Sequence, residues 1–495
     1  MSSTPSATDL EKPPMSEEVK PADLNEPVGE KDVGVMEEFI DTVAEKKLLR
    51  KIDIYLLTLF GCIYCMNSLD RSNIGNAALT SFEDDLGLVK NQYGLAVSIV
   101  YPTYIVFEPI WTVLFKIFSP KYTMTASIVG WAAISLGTGF IKNYSQLVAM
   151  RVLLGLFEAG IIPNITMYIT MVYNRNEYAV RKSYTQIASA LSGAFGGLLA
   201  YGLTQITNDS LKGWQWLYVV EGLLSFILVP ATLLILPHTI ATARWLNKKE
   251  QALIAARQAR NTRAYDSQEK FTWSEVFRAA KDWRVWVQSV AHFGMNTALF
   301  AVTTFMPRII SGLGIASRVN SQLLTVPVYF VAGLSFYIFA RLADRTKKPS
   351  LFLLISLSFL LLGFIILIAV PNVGGRFFGV FVLAVGLYSS TTMNVVWCAT
   401  THSGYFKRAI ATSMVQVVGN VAGAVIGFIF TTQSAPRYMK GMWFAFAFTL
   451  VSIVCTLFLR FMLLRENAKK REAIAQGAPD QPELGDRNPH FLYYV

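Results

Sequence analysis

Residues 350–370 read SLFLLISLSFLLLGFIILIAV, a run without a single charged side chain. Its length matches the roughly 20 apolar residues that an α-helix needs to cross the hydrocarbon core of a bilayer. Similar runs recur along the chain, since 53% of its 495 residues are apolar and only 16% are charged. Soluble domains carry about a quarter charged residues. The sequence therefore predicts a polytopic membrane protein and not a series of soluble domains.

The spacing of these runs predicts an all-α membrane protein with twelve transmembrane helices in two six-helix bundles. The predicted spans are residues 51–78, 92–116, 122–141, 146–172, 184–206, 214–236, 284–307, 321–341, 350–370, 376–399, 409–432 and 441–463. The predicted domains are a disordered acidic tail (1–48), an N-terminal bundle (49–236), a cytosolic linker (237–283), a C-terminal bundle (284–465) and a cytosolic tail (466–495).

The distribution of basic residues predicts the orientation in the membrane. The chain holds 44 Lys and Arg against 33 Asp and Glu, and most basic residues of the predicted loops fall on the side of the amino terminus. Cytosolic loops carry such an excess, so we expect both termini in the cytosol. Because membrane orientation accounts for the basic residues, we expect no nucleic-acid partner. Two Asn-x-Ser sequons then lie outside, at Asn143 and Asn208, and are candidate glycosylation sites.

Small residues recur at four-residue spacing in the fifth and eleventh predicted helices. They are Ser189, Gly193 and Gly197 in the fifth, and Gly419, Gly423 and Gly427 in the eleventh. Such spacing lets two helices approach closely within lipid. Its recurrence at corresponding places also indicates that the two halves repeat one plan.

Four ionisable residues inside apolar helices are the main candidates for function, because each costs about 2.5–3.5 kcal/mol to insert. Asp70 and Arg71 lie in the first helix, and Arg151 and Glu158 lie in the fourth. The helix rise places Asp70 and Arg151 at about the same height, so we predict an Asp70–Arg151 contact that leaves Arg71 free for an anionic ligand. Glu158, among apolar neighbours, is expected to hold a proton. The alternatives are that the first helix ends at Asp70, or that Arg151 and Glu158 form a structural pair.

Further candidates are weaker and fall into two groups. Neutral or aromatic residues could line the substrate cavity: Tyr104, Asn296 and Asn394. Charged residues near helix ends could form a gate or latch between helices: Glu108, Arg341, Asp344 and Arg345. Glu221 is expected to hold helices together, and His292 is expected to be a packing residue.

The sequence favours a transporter over an enzyme or a motor. It contains no Gly-rich loop of the type that binds ATP phosphates. We expect no cofactor and no metal, so the energy for transport must come from an ion gradient or from the gradient of the substrate.

Several segments together resemble a known family. Residues 341–345 (RLADR) resemble the signature loop of the major facilitator superfamily, in its second-half copy. Other segments resemble its anion:cation symporter family, most closely the fungal allantoate and nicotinate permeases: residues 69–77, 91–94, 107–111, 151–163, 213–222 and 243–246. One departure is the loop at residues 116–121, which lacks the Asp and Gly of the signature.

The resemblance implies how the site would work. Arg71 would bind the substrate carboxylate, while Asp70 and Glu158 would take part in proton coupling with Arg151 beside them. The expected function is proton-coupled uptake of a small organic carboxylate by a monomer in the plasma membrane, with the vacuole as the alternative location. The rival function is a proton antiporter that exports a secondary metabolite.

Overall fold

The computed structural model describes residues 42–173, 175–206, 210–264, 273–315, 317, 320–403, 405–435 and 437–495. The chain divides into two units, residues 1–50 and residues 51–495. In the first unit, residues 42–50 are helical, whereas most of the predicted disordered tail lies outside the described residues. All the elements that concern function belong to the second unit.

The described part of the second unit is helical throughout, as the apolar runs predict. We label the helices of the two bundles as follows: α1 Thr58–Ala77, α2 residues 92–118, α3 Pro120–Thr138, α4 Tyr144–Val172, α5 Arg175–Thr204, α6 Gly213–Ile235, α7 Trp283–Ser311, α8 Asn320–Thr346, α9 Pro349–Ala369, α10 Val373–Thr401, α11 Tyr405–Ile429 and α12 Met439–Ala475. Ten spans among the described residues are long and apolar enough to cross a membrane, and they include every one of these helices except α3 and α7. Helix α7 carries Gln288, His292 and Asn296 along its length, which lowers its hydropathy.

The helices form two bundles that pack against each other. In the first bundle α1 packs on α5 and α6, while α3 packs on α4 and α6. In the second, α7 packs on α11 and α12, and α9 packs on α10. Contacts across the bundles join α5 to α8, α2 to α11 and α1 to α7.

The predicted close approach at small residues is confirmed at the contacts between bundles. A side chain at Gly427 of α11 would overlap the carbonyl oxygen of Gly94 in α2, and a Cβ atom at Gly193 of α5 would lie 2.5 Å from the ring of Tyr329 in α8. The fifth and eleventh helices thus serve equivalent interfaces, in agreement with the repeat that the sequence indicates.

Contacts between the bundles hold one end of the molecule together. We call the end with residues 78–91 the first-loop face, and the end with residues 236–264 the linker face. At the first-loop face the bundles are joined by an ion pair between Arg308 and Glu83 and by a 2.9 Å hydrogen bond from the Gly427 amide to Ser98. The contacts that join the bundles therefore close this end of the molecule.

The linker, predicted as a polar stretch, contains two helices at Lys248–Ala264 and Trp273–Lys281. Its first helix is tied to the first bundle, because Lys51 donates to Glu250 over 2.7 Å. Asp53 in turn pairs with Arg181 of α5 at 2.9 Å. These contacts fix the linker-face ends of α1 and α5.

The C-terminal segment returns to the second bundle and packs against it. Asp486 pairs with Arg284 at the start of α7 and with Lys407 at 3.0 Å near the start of α11. The backbone of Tyr493 exchanges two 2.9 Å hydrogen bonds with the Asn467 side chain. These contacts extend α12 well beyond its predicted end at residue 463, so the tail is a structural part of the bundle.

Candidate functional site

The strongest candidate site is an ion pair between α1 and α4. The Nε atom of Arg71 donates to Oε2 of Glu158 over 2.7 Å. The Glu158 side chain is fully buried, whereas that of Arg71 is 22% exposed. One helical turn before Glu158, a Cβ atom at Gly155 would overlap the Val100 carbonyl of α2. The small residue thus lets α2 approach the pair closely.

The ion pair leaves hydrogen-bonding capacity unused. Among the described residues, neither Nη2 of Arg71 nor Oε1 of Glu158 has a hydrogen-bond partner. The guanidinium lies over the ring of Tyr104 in α2, with Cζ 4.7 Å from the ring centroid. The negative face of an aromatic ring favours a cation in this position. Arg71 therefore retains a donor for a second carboxylate, although Glu158 already balances its charge.

The predicted contact between Asp70 and Arg151 is wrong. Asp70 accepts hydrogen bonds from Trp131 and, over 2.9 Å, from Ser135, both in α3. Arg151 donates instead to the hydroxyl of Tyr218 over 3.1 Å. Successive residues of an α-helix point about 100° apart, so Asp70 faces α3 while Arg71 faces α2 and α4. The side chains of Asp70 and Arg151 therefore bond to different helices and not to each other.

Arg71 is therefore not free for a ligand, which differs from the prediction made from the sequence. With Asp70 turned towards α3, the Arg71 guanidinium donates to Glu158. Proton-site and substrate-site candidates are therefore in direct contact, an arrangement that helix spacing alone does not predict.

A third buried carboxyl group, in addition to those of Glu158 and Asp70, lies close to Asp70. Glu221 of α6 is 1% exposed and accepts a hydrogen bond from the amide of Asn73 in α1. The same amide lies 3.4 Å from Asp70. Asn73 follows Asp70 by three residues and so shares its helix face, but the helix rule does not reveal which helix that face meets.

The comparisons with known proteins identify the family. The model of the Major Facilitator Superfamily matches residues 60–428. The chain belongs to the Major Facilitator Superfamily. It is a multi-pass membrane transporter of this superfamily, and not an enzyme.

Relatives of this facilitator place it in a fungal branch. It is 39% identical to the high-affinity nicotinic acid transporter of Saccharomyces cerevisiae, over 91% of this chain and 85% of that protein. It is 31% identical to the major facilitator-type transporter hxnP of Emericella nidulans, over 99% of both chains. These matches confirm the predicted fungal nicotinate-permease branch.

Solved structures agree with the fold. The proton:xylose symporter XylE bound to 6-bromo-6-deoxy-D-glucose has a TM-score of 0.65 at 13% identity, over 82% of this chain and 95% of that one. A bacterial homologue of the human lysosomal transporter Spinster, inward-facing and occupied, has a TM-score of 0.61 at 13% identity, over 82% of this chain and 96% of that one. At this identity the likeness concerns the fold alone, and it supports the predicted twelve-helix architecture.

The candidates in the second bundle of the facilitator are held mainly by their own bundle. Asn394 donates to the Gln288 carbonyl over 3.2 Å. Asn296 is buried and faces α11, because its amide nitrogen would lie 2.8 Å from a Cβ atom at Gly419. His292 is also buried and lies 2.7 Å from the Gln416 side chain. The structure thus gives Asn394 and His292 partners within the bundle, while roles for Asn296 and Asn394 in substrate binding stay predictions.

The gate candidates differ in their surroundings. Glu108 lies one turn after Tyr104 on α2, and its Oε2 atom is buried with no hydrogen-bond partner in the described part of the chain. Arg341 and Arg345 at the end of α8 are exposed, and the Asp344 side chain lies outside the described residues. The Arg341 guanidinium lies 5.5 Å from the ring of Tyr337 in the same helix. The predicted latch stays a prediction.

The predicted glycosylation sites are only partly described. Asn143 is exposed and caps α4, since its side chain accepts a 2.9 Å hydrogen bond from the Gln146 amide. Asn208 lies outside the described residues. Modification at either position stays a prediction.

Proposed function

We propose that this facilitator imports a small organic carboxylate together with protons, with nicotinate as the first candidate substrate. The observation that carries the proposal is the 2.7 Å ion pair between Arg71 and the buried Glu158. A carboxylate of the protein occupies the position in which a substrate carboxylate would pair with the guanidinium. Protonation of Glu158 would break this pair and free Arg71.

The proposal therefore couples the two ligands by competition. One guanidinium balances the charge of only one carboxylate. If a substrate anion and an ionised Glu158 shared Arg71, one negative charge would stay uncompensated in a medium of low dielectric constant, which is costly. When Glu158 takes up a proton, the substrate carboxylate replaces it on Arg71. When the proton leaves, Glu158 regains Arg71 and the substrate is released. Asp70 and Arg151, which lie close by on the same helices, set the electrostatic field around this exchange.

The surroundings of Arg71 favour a carboxylate that is attached to a planar aromatic ring. The ring of Tyr104 lies against the guanidinium, and offset stacking on Tyr104 would suit a pyridine ring. The relative named as a nicotinic acid transporter, 39% identical to this chain, supports the same class of substrate.

We further propose that the first-loop face is extracellular and that the linker face and both termini are cytosolic, in the plasma membrane. The excess of basic residues on the linker side supports this orientation. In it, the contacts between bundles at Gly94, Gly427 and Arg308 close the outer end of the path. Rocking of the two bundles would then expose the site to each side in turn.

The test is uptake of radiolabelled nicotinate by a fungal host that lacks its own nicotinate uptake. Expression of the full chain should restore uptake, and uptake should increase as external pH falls. Unlabelled nicotinate should compete, whereas nicotinamide should not, because it keeps the ring but lacks the carboxylate. Equal competition by nicotinamide, or faster loss of label from preloaded cells without any uptake, would overturn the proposal and favour export.

A further inference from the structure

We infer that Glu221 and Asp70, joined by Asn73, form a second proton-binding site in the first bundle, with its proton on Glu221. This inference rests on the proposed function, because it concerns the carboxyl groups behind the Arg71–Glu158 pair. It adds a residue of α6 to a site otherwise built from α1, α2 and α4.

The three side chains are sealed from solvent. Asp70 is 2% exposed, Asn73 is fully buried and Glu221 is 1% exposed. The amide nitrogen of Asn73 donates to Glu221 and lies 3.4 Å from an oxygen of Asp70. One neutral amide therefore lies between two carboxyl groups, and two negative charges so placed would repel each other strongly.

The hydrogen-bond donors are divided unequally between the two acids. Asp70 receives Trp131 Nε1 and the Ser135 hydroxyl in addition to Asn73. Among the described residues, Glu221 receives a side-chain hydrogen bond from Asn73 alone. Donors stabilise an ionised carboxylate, so the arrangement suits an ionised Asp70 and a neutral Glu221.

Two buried acceptors also lack a donor. Within the described part of the chain, neither Oε1 of Glu221 nor Oδ1 of Asn73 has a hydrogen-bond partner. An unsatisfied buried acceptor costs about 1–3 kcal/mol. A protonated carboxyl group changes one acceptor into an O–H donor, so a proton on Glu221 relieves the shortage that an ionised Glu221 would increase.

The balance of buried charge gives the same result. Three carboxyl groups of this cluster, Asp70, Glu158 and Glu221, are at most 2% exposed, and the guanidinium groups that act on them are Arg71 and Arg151. Glu108 of α2, on which Arg71 also acts, is only partly buried and does not belong to this group. With all of them ionised, the group carries one excess negative charge, which one proton neutralises. A substrate anion at Arg71 would then require one additional proton, on Glu158. The resident proton thus keeps this group of side chains electrically neutral both before and after one anion and one proton bind.

Besides Asp70, the described titratable groups that interact electrostatically with Glu221 are Cys65 of α1 and Tyr218 of α6, and neither is a cation. Tyr218 accepts the hydrogen bond from Arg151, whose charge acts on Asp70. Helix α3 contributes the neutral Trp131 and Ser135.

The test is infrared spectroscopy of the purified full chain in detergent at pH 7, in which a protonated carboxyl group gives its own C=O stretching band. The difference spectrum of wild type minus Glu221→Gln should contain this band, and that of wild type minus Glu158→Gln should not. Asp70→Asn should make the Glu221 band disappear at a lower pH than in wild type, because it removes the negative charge across the Asn73 amide that opposes ionisation of Glu221.

These outcomes separate the inference from the proposed function, since the infrared measurement does not require transport. A wild-type spectrum equal to that of Glu221→Gln, or a Glu221 band with the same pH dependence in Asp70→Asn as in wild type, would overturn the inference even if nicotinate uptake is normal. In cells, Glu221→Gln should retain uptake within about threefold of wild type at acidic external pH. It should also show a smaller rise in KM than wild type as pH increases, and complete loss of uptake at normal surface expression would contradict the inference.

Discussion

Asp70 and Arg71 are neighbours in the chain, yet they have different partners, and this difference defines the site. Arg71 meets Glu158 and Tyr104, whereas Asp70 meets α3. The sequence indicates which ionisable groups lie inside the membrane, because their insertion cost marks them. It cannot indicate direction, since that depends on the rotation of each helix about its axis.

We predict that Arg71→Ala abolishes nicotinate uptake and that Arg71→Lys raises the KM for nicotinate by about 10- to 100-fold. Lysine keeps the charge but loses the planar pair of donors, and a hydrogen bond to a charged group is worth about 1.5–3 kcal/mol. The measurement is initial uptake rate against nicotinate concentration, normalised to surface expression. The matched control is Arg465→Ala, at an exposed arginine of α12, which should remain close to wild type. Unchanged KM in Arg71→Lys would contradict the role of Arg71.

The helices themselves are largely predictable, and their extensions are not. Helix α1 continues past Asp70 to Ala77, as its small and apolar residues indicate. Helix α12 exceeds its predicted length because a distant segment, Asp486 to Tyr493, packs against it. Hydropathy measures suitability for lipid, so it cannot detect a polar extension that is stabilised by tertiary contacts.

Transport is expected to depend on the close contact between α2 and α11. Gly427→Ala should reduce uptake at least tenfold at normal surface expression, since its Cβ would overlap the Gly94 carbonyl and forced overpacking costs about 1–3 kcal/mol. Gly202→Ala is the matched control, because a Cβ atom there has nothing within 4 Å. Equal uptake in the two variants would show that closure at the first-loop face does not depend on this contact.

The C-terminal segment gives a prediction on stability and pH. Burial opposes the ionisation of Asp486, but the charges of Arg284 and Lys407 outweigh it and lower the pKa of this carboxyl group. A lowered pKa in the folded state adds stability above the unfolded pKa, and this stability is lost as pH falls through the folded pKa. Asp486→Asn should therefore lower Tm by about 2–4 °C.

Thermal unfolding of the purified chain in detergent measures this effect. The Tm difference between wild type and Asp486→Asn should be constant from pH 7 to pH 5 and should shrink below about pH 4, near the ordinary pKa of Asp. Glu472→Gln, at an exposed position of α12, is the control and should match wild type. A difference that grows with acidity would contradict the assigned contacts.

For the whole molecule, the sequence predicts the twelve-helix architecture because each apolar run must satisfy its own backbone hydrogen bonds within lipid. It also predicts that helices approach closely at regularly spaced small residues, but it does not predict that these contacts join the two halves. The chemistry of the centre depends instead on which side chains meet across helices. Glu221 illustrates the limit, since only the fold brings it to Asn73 and Asp70.

The central claim is that a substrate carboxylate replaces Glu158 on Arg71 when Glu158 is protonated. Calorimetric titration of the purified chain with nicotinate, repeated in buffers of different ionisation enthalpy, measures the protons taken up on binding. Competition for Arg71 predicts about one proton per nicotinate at neutral pH. It also predicts none in Glu158→Gln, which should still bind nicotinate. Binding by the wild-type chain without proton uptake, or equal proton uptake by Glu158→Gln, would contradict the account.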